Sequence, residues 1–203
     1  MKKFVALLLA VLMVASLCAC GQKDTGSDLQ TVTKGKLIMS TNAEFAPYEY
    51  VADDGKGFQG TGYEGIDIEI AYALAQKLGL ELVVDNMDFD AALSAVQTGK
   101  SDMVAAGVTV TPDRLNAMSF TDSYANGVQV VIVKEGSDIK SIDDLQGKKI
   151  GTQRGTTGFL YCSDDFGDDN VIGFDDGATA VQNLKAGKID CVVIDNVPAQ
   201  EYV

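Results

Sequence analysis

Apolar runs and helical periods take turns along residues 36 to 106. Leu37-Ile38-Met39-Ser40 predicts a strand over 36–41, and Ile66, Ile70, Ala73, Leu74 and Leu78 recur at helical spacing, so a helix is expected over 66–78 with Gly79 as its C-cap. Leu80 to Val84 predicts the next strand, Asp90 to Thr98 a second helix closed by Gly99, and Met103 to Ala106 a buried strand bounded by Gly107. Strand, helix, strand, helix, strand is the order of a doubly wound α/β lobe. Inside it, Phe45, Tyr48 and Tyr50 surround Pro47 just past the carboxyl end of the first strand, the end at which open α/β sheets bind ligands. Tyr48 and Tyr50 are expected to cover the sheet edge and Phe45 to face a ligand. Residues 51–65, rich in glycine and carrying Asp53 and Asp54, predict a turn-rich loop.

After Tyr124 the pattern restarts. Ala125-Asn126-Gly127 reads as a flexible connection, and the β-branched run Val128 to Val133 opens a second unit. Ser141 to Gly147 predicts a short capped helix, Lys149 to Thr152 a strand, Phe159 onward a helix, Val171 to Phe174 a strand, Asp176 to Ala186 a helix, and Cys191 to Ile194 a strand whose end carries Asp195. Gly99-Lys100-Ser101-Asp102 and Gly187-Lys188-Ile189-Asp190 each close a helix and open a strand. Two lobes of like construction explain this echo; so does chance, because the pattern is short.

Two strand-to-helix corners are suited to anions. At the first, Thr111 is an N-cap candidate, Pro112 suits the first helical position, Asp113 adds a negative charge to the first turn, and Arg114 brings a planar cation. Free backbone N–H groups beside an arginine fit a carboxylate. As a cleft arginine open to solvent, Arg114 should contribute little to stability. An ordinary turn with a solvated arginine fits this stretch equally well. The second corner, Gln153-Arg154-Gly155-Thr156-Thr157-Gly158, again offers N–H groups and hydroxyls, but it lacks the lysine and spacing of a Walker A loop.

Composition removes whole classes of function. The 203 residues, with no repeat period, leave room for one or two compact domains. The chain has no histidine, which excludes His-based triads and His-ligated metals. At the N-terminus, Lys2 and Lys3 precede the apolar run Phe4 to Leu17, and Cys18-Ala19-Cys20-Gly21 follows, the plan of a secretory signal with Cys20 in the lipid-bearing position of a lipobox. A plain signal peptide or a membrane span is the competing reading, and the run is short for a bilayer. Residues 1–19 are therefore assigned to the signal and 20–35, polar and glycine-containing, to a tether. Removing 1–19 leaves 14 basic and 29 acidic side chains, a net charge of −15 that disfavours nucleic acid. Cys162 and Cys191 form no C-x-x-C pair, so neither a zinc site nor thioredoxin-like chemistry is indicated; a disulfide and two buried thiols both remain open.

Several motifs then occur in a known order: Phe45 to Tyr50, Gly65 to Ile70, Leu93 to Asp102, Thr109-Val110-Thr111-Pro112-Asp113-Arg114 with Phe120 to Tyr124, Asp144 to Lys148 with Gly155 to Gly158, and Asp190 to Asp195. Over residues 36–203 the chain resembles the polar amino-acid substrate-binding proteins of ABC importers, the family of the periplasmic glutamine- and histidine-binding proteins. The resemblance implies a type II periplasmic-binding fold of two doubly wound α/β lobes joined by a hinge: lobe 1 over 36–123, a hinge strand at 124–128 and lobe 2 over 129–203. In that family a further segment crosses back and completes both lobes, so a chain ending at Val203 is expected to be a truncated form.

By the same resemblance the protein is a receptor, not an enzyme. It captures a free, polar amino acid between the lobes and delivers it to ABC permease subunits, as a monomer lipid-anchored outside the bacterial cell membrane through Cys20, with no nucleic acid, cofactor or metal. Arg114 would pair with the ligand carboxylate, helped by the N–H groups of Thr109 and Thr157. Asp195, the Gly107 carbonyl and the Thr109 hydroxyl would hold the ammonium. Phe45 and Phe89 would sandwich the side chain, and Asn42 and Gln153 would face its tip. Asn42 stands where glutamine-binding relatives carry an acid and Gln153 where they carry a lysine, so the resemblance leaves the ligand unnamed. The alternative is an enzyme on the same fold, such as a cyclohexadienyl dehydratase-like lyase, although no activated nucleophile is recognisable.

Overall fold

A computed structural model describes residues 29–203, so the signal over 1–19, Cys20 and tether residues 20–28 lie outside the described residues. The backbone of Val32 is already tied down, its N–H donating to Asp102 Oδ1 at 2.7 Å.

The first sheet is parallel. Its centre is β1 (Lys36–Thr41), flanked by β5 (Glu81–Asn86) and by β6 (Met103–Val104). Helices α1 (Ile66–Leu78) and α2 (Phe89–Gln97) cover it, and Met39, Ile68, Ala71 and Ala105 form one core cluster. The extent of α1 matches its expected span, but the buried face is a different one. Asp67, Ile68, Ala71 and Ala75 point inward, while Ile66, Ile70 and Leu74 are exposed. A helix apolar on both sides gives no strong periodic contrast, and the inward face includes an aspartate, which simple patterning assigns to solvent. β6 stops two residues earlier than expected because the Thr41 hydroxyl takes the Ala105 carbonyl at 2.6 Å and steers the strand away from the ladder.

The aromatic stretch and the turn-rich loop expected over 51–65 together contain a small antiparallel sheet of β2 (Glu44–Phe45), β3 (Glu49–Val51) and β4 (Tyr63–Glu64). Strands of two or three residues are too short to show a period.

The second sheet runs in the order β7-β10-β8-β9, from β7 (Gln129–Val133), β8 (Ile150–Gln153), β9 (Val171–Phe174) and β10 (Cys191–Asp195). β10 pairs in parallel with β8 but antiparallel with β7. A central strand covered on both faces reads as Cys-Val-Val-Ile, without alternation. On one side α5 (Gly177–Lys185) packs Ala180, Val181 and Leu184 against Val192 and Ile194. Ile139, Leu145, Ile150, Cys162, Cys191 and Val193 form a second cluster under α4 (Thr157–Phe166). Both cysteines are buried free thiols, pushed up by burial to about 11 for Cys162 and about 12 for Cys191. The short helix expected after Ser141 is a 3-10 turn, Ile142–Leu145, held by a capping box between Ser141 and Asp144.

The Gly-Lys-x-Asp echo has the same structural job in each lobe. Asp102 Oδ2 accepts the Ile38 N–H at 2.7 Å, and Asp190 Oδ2 accepts the Lys149 N–H at 2.7 Å. The two aspartate N–H groups return bonds to the Ile38 and Lys149 carbonyls. Each carboxylate therefore fastens the start of the neighbouring parallel strand and sets the two strands in register. Opposite these stitches, the carboxyl ends of the parallel strands in both sheets, and the amino end of antiparallel β7, converge on one cleft.

Candidate functional site

Asn42, Phe45, Phe89, Gly107, Thr109, Arg114, Gln153, Thr157 and Asp195 all line this cleft, together with Glu49, Ala106 and Thr156. The first corner forms as expected: Thr111 Oγ1 accepts the Arg114 N–H at 3.3 Å, and Pro112 opens the short helix α3 (Pro112–Ala117). Arg114, however, is not open to solvent; it is 8% exposed. Its Nη1 donates to the Thr109 carbonyl at 2.8 Å, its Nη2 to the Gly155 carbonyl of the other lobe at 3.1 Å, and its guanidinium lies 5.5 Å from the Phe89 ring centroid. Burial weakens its hold on the proton, while the nearby Asp90 carboxylate opposes that shift. Asp90 also packs against Gly155, whose left-handed backbone (φ 73°) has no room for a Cβ beside that carboxylate.

The second corner begins its helix earlier than expected, at Thr157, because the Thr156 hydroxyl caps it by accepting the Phe159 N–H at 3.3 Å. Thr157 consequently sits in the first helical turn, where N–H groups are free for an anion. Asp195 ends β10 opposite Gln129 in the antiparallel ladder. Beside it, Gln129 Nε2 donates to Thr157 Oγ1 at 3.4 Å, which places this amide between the acid and the anion corner. Burial raises the Asp195 pKa and the Gln129 amide partly offsets it. Gly127 lies directly against the Asp195 carboxylate, at a distance a Cβ would not permit.

Asn42 and Gln153 meet across the cleft. Gln153 Nε2 donates to Asn42 Oδ1 at 2.8 Å and to the Asp175 carbonyl at 3.0 Å; Asn42 Nδ2 donates to the Met87 carbonyl at 3.0 Å. Phe45 stacks on Tyr48 with centroids 5.9 Å apart and also packs against the core of the second lobe. Phe89 is buried at the start of α2, between the first lobe's core and Arg114.

Glu49 lies inside the Phe45 to Tyr50 motif and is 1% exposed; Asp67, on α1, is 0% exposed. The two carboxyl groups are close enough for the Asp67 charge to act on Glu49, which favours a proton on one of them. Asp67 accepts the Gly107 N–H at 2.9 Å and the Tyr124 hydroxyl at 2.7 Å. With donors on all sides Asp67 is the better anion, so the proton resides on Glu49, whose pKa is pushed well up by burial and then by Asp67. Glu49 Oε2 has no hydrogen-bond partner among the described residues.

Glu49, Asp67, Asp90 and Gln129 were not singled out by the sequence. Glu49 was legible as part of a motif, and Gln129 only through its ladder partner. Nothing local marks Asp90, whose role depends on the approach of the other lobe.

A cation, an anion, two phenyl rings and two buried amides around one cleft suit a small zwitterion with a side chain. Residues 37–166 match the family described as bacterial extracellular solute-binding proteins, family 3. The chain is 34% identical to the arginine-binding extracellular protein ArtP of Bacillus subtilis, over 100% of this chain and 76% of that protein. It is 29% identical to the L-cystine-binding protein TcyJ of Escherichia coli, over 96% of this chain and 72% of that one. Among solved structures, an ancestral arginine-binding protein bound to glutamine is 40% identical, with a TM-score of 0.76 over 84% of this chain and 74% of that one.

Proposed function

Because this chain belongs to the bacterial extracellular solute-binding proteins of family 3, we propose that it is an extracytoplasmic receptor that closes two lobes around one free amino acid and passes it to ABC permease subunits. The relatives reported above are named for binding, and the role assigned here is binding and not catalysis. The observation that carries the reading is the presence of Arg114 and Asp195, a fixed cation and a fixed anion, in the lining of a single cleft. A zwitterion satisfies both at once, whereas leaving either charge desolvated and unpaired costs several kcal/mol, on the order of the affinity of a weak ligand.

In this reading Arg114 and the N–H groups of Thr109 and Thr157 take the carboxylate. Asp195, the Gly107 carbonyl and the Thr109 hydroxyl take the ammonium. Phe45 and Phe89 hold the side chain, with Asn42 and Gln153 at its tip. Lobe 1 spans 36–123, the hinge strand 124–128 and lobe 2 129–203, and the receptor acts as a monomer. Calorimetric titration of the protein against the twenty amino acids tests it: at least one should bind with micromolar affinity, and binding no tighter than millimolar to any would refute it. The anchor is tested separately. A labelled fatty acid should be incorporated into the wild type and not into Cys20→Ala, and equal labelling of both would remove Cys20 from the reading.

A further inference from the structure

Among the described residues, three ionisable side chains line the cleft: Glu49, Arg114 and Asp195. Glu49 is 1% exposed, lies beside the Asp67 carboxylate and has no partner for Oε2 among the described residues, surroundings that favour its protonated form, so the lining carries one cation and one anion. An amino acid's carboxylate and ammonium use both. Within the lining no further counter-ion is left for a charged side chain, and a buried charge without one is strongly disfavoured.

The tip is more selective still, because the orientation of both amides is fixed by backbone. Asn42 turns its nitrogen to the Met87 carbonyl and Gln153 turns its nitrogen to the Asp175 carbonyl, contacts that only an N–H can make. Gln153 Nε2 spends its second hydrogen on Asn42 Oδ1. Among the described residues this leaves one N–H of Asn42 and the carbonyl oxygen of Gln153 without a partner. The side-chain tip is offered one donor and one acceptor. Guanidinium and ammonium groups only donate and a carboxylate only accepts, so each would meet one of these groups with the wrong sign. A primary carboxamide presents both complements together.

We propose that the cleft selects an amino acid with a neutral carboxamide side chain, glutamine or asparagine, over arginine, lysine and glutamate, with Asn42 and Gln153 as the residues that determine this choice. The inference rests on the amino-acid-receptor reading, and the experiment separates the two. Titration calorimetry at pH 7 with glutamine, asparagine, arginine, lysine, glutamate and leucine should give at least 100-fold tighter binding of one carboxamide than of any of the other four. Arginine, lysine, glutamate or leucine binding as tightly would overturn the side-chain assignment while leaving the receptor reading intact; no binding by any amino acid would overturn both. Asn42→Asp replaces the donor by an anionic acceptor at constant size. It should move the glutamine-to-arginine affinity ratio at least tenfold toward arginine in a protein whose melting transition shows it folded. An unchanged ratio would overturn the placement of the side-chain tip at Asn42.

Discussion

Replacing Arg114 by alanine separates what the residue does for the fold from what it does for a ligand. The guanidinium makes two hydrogen bonds to carbonyls, at 2.8 Å to Thr109 and 3.1 Å to Gly155, and stacks on Phe89. Bonds from a charged donor contribute roughly 1.5–3 kcal/mol each and a partly desolvated cation–π contact about 0.5–2 kcal/mol. Desolvation of the cation, visible in its depressed pKa, offsets much of that sum. The fold should lose about 1–3 kcal/mol, not the near-zero expected of a solvated side chain. Part of that loss belongs to the contact between lobes, since Gly155 lies across the cleft. The effect on a bound carboxylate is larger: stranding one buried partner costs about 3–5 kcal/mol, or roughly 10²–10⁴-fold in Kd. Arg114→Lys keeps the charge but not the planar fork, so it should recover part of the affinity and stay roughly 10-fold or more below wild type. Titration calorimetry gives the affinities and urea denaturation the stabilities. If Arg114→Ala binds an amino acid within threefold of wild type, the carboxylate is held elsewhere and the assignment of this corner is wrong.

Four further substitutions probe other parts of the cleft. Asp195→Asn should lower affinity by about 30-fold or more, yet leave stability equal or higher at neutral pH, because burial already disfavours the native carboxylate; a large drop in stability with intact affinity would contradict this. Gly155→Ala should weaken ligand binding more than it lowers stability, and Gly155→Ala with Asp90→Gly should bind better than the single variant, since the clash is with that carboxylate; no rescue would show that backbone strain alone is responsible. For Glu49, the folded pKa lies above its ordinary value of 4.5, so the stability tied to its proton is fully present below that pH and is lost as pH rises through the folded value. Denaturation at pH 5 to 8.5 should therefore show wild-type stability falling by up to about 1.4 kcal/mol per pH unit within the window, and Glu49→Gln flattening that slope; superimposable profiles would mean that Glu49 holds no such proton.

How much of this could be seen in the chain depended on the range of the interaction. The Thr111-Pro112 helix start is a local competition between cap and coil, and it came out as written in the sequence. The second corner's helix starts two residues before its apolar pattern does, because the choice between Thr156 capping Phe159 and a longer turn is made by a single hydroxyl bond. The inward face of α1 was misread because Asp67 is buried by partners distant in sequence, the Gly107 N–H and the Tyr124 hydroxyl. Arg114 was read as exposed for a similar reason: its cover comes from Gly155 and Phe89, one of which belongs to the opposite lobe. The antiparallel direction of β7 left no trace in a run of β-branched residues, which suits either orientation.

The Tyr124 phenol, bonded to Asp67 on α1, has a mechanical consequence for the chain that passes between the lobes. It pins the segment to the first lobe at residue 124. On the other side, the Asn196 N–H donates to the Val128 carbonyl at 2.8 Å and Gln129 enters the ladder with Asp195, so the segment is seized again at residue 128. Between the two clamps lie Ala125, Asn126 and Gly127, of which Ala125 keeps one local bond, its carbonyl accepting the Ser123 hydroxyl at 2.8 Å. Torsion in this crossing is thus confined to three residues, and one of them is the glycine that touches Asp195. Any rotation there changes the seat of the cleft's anion directly, with no lever arm in between.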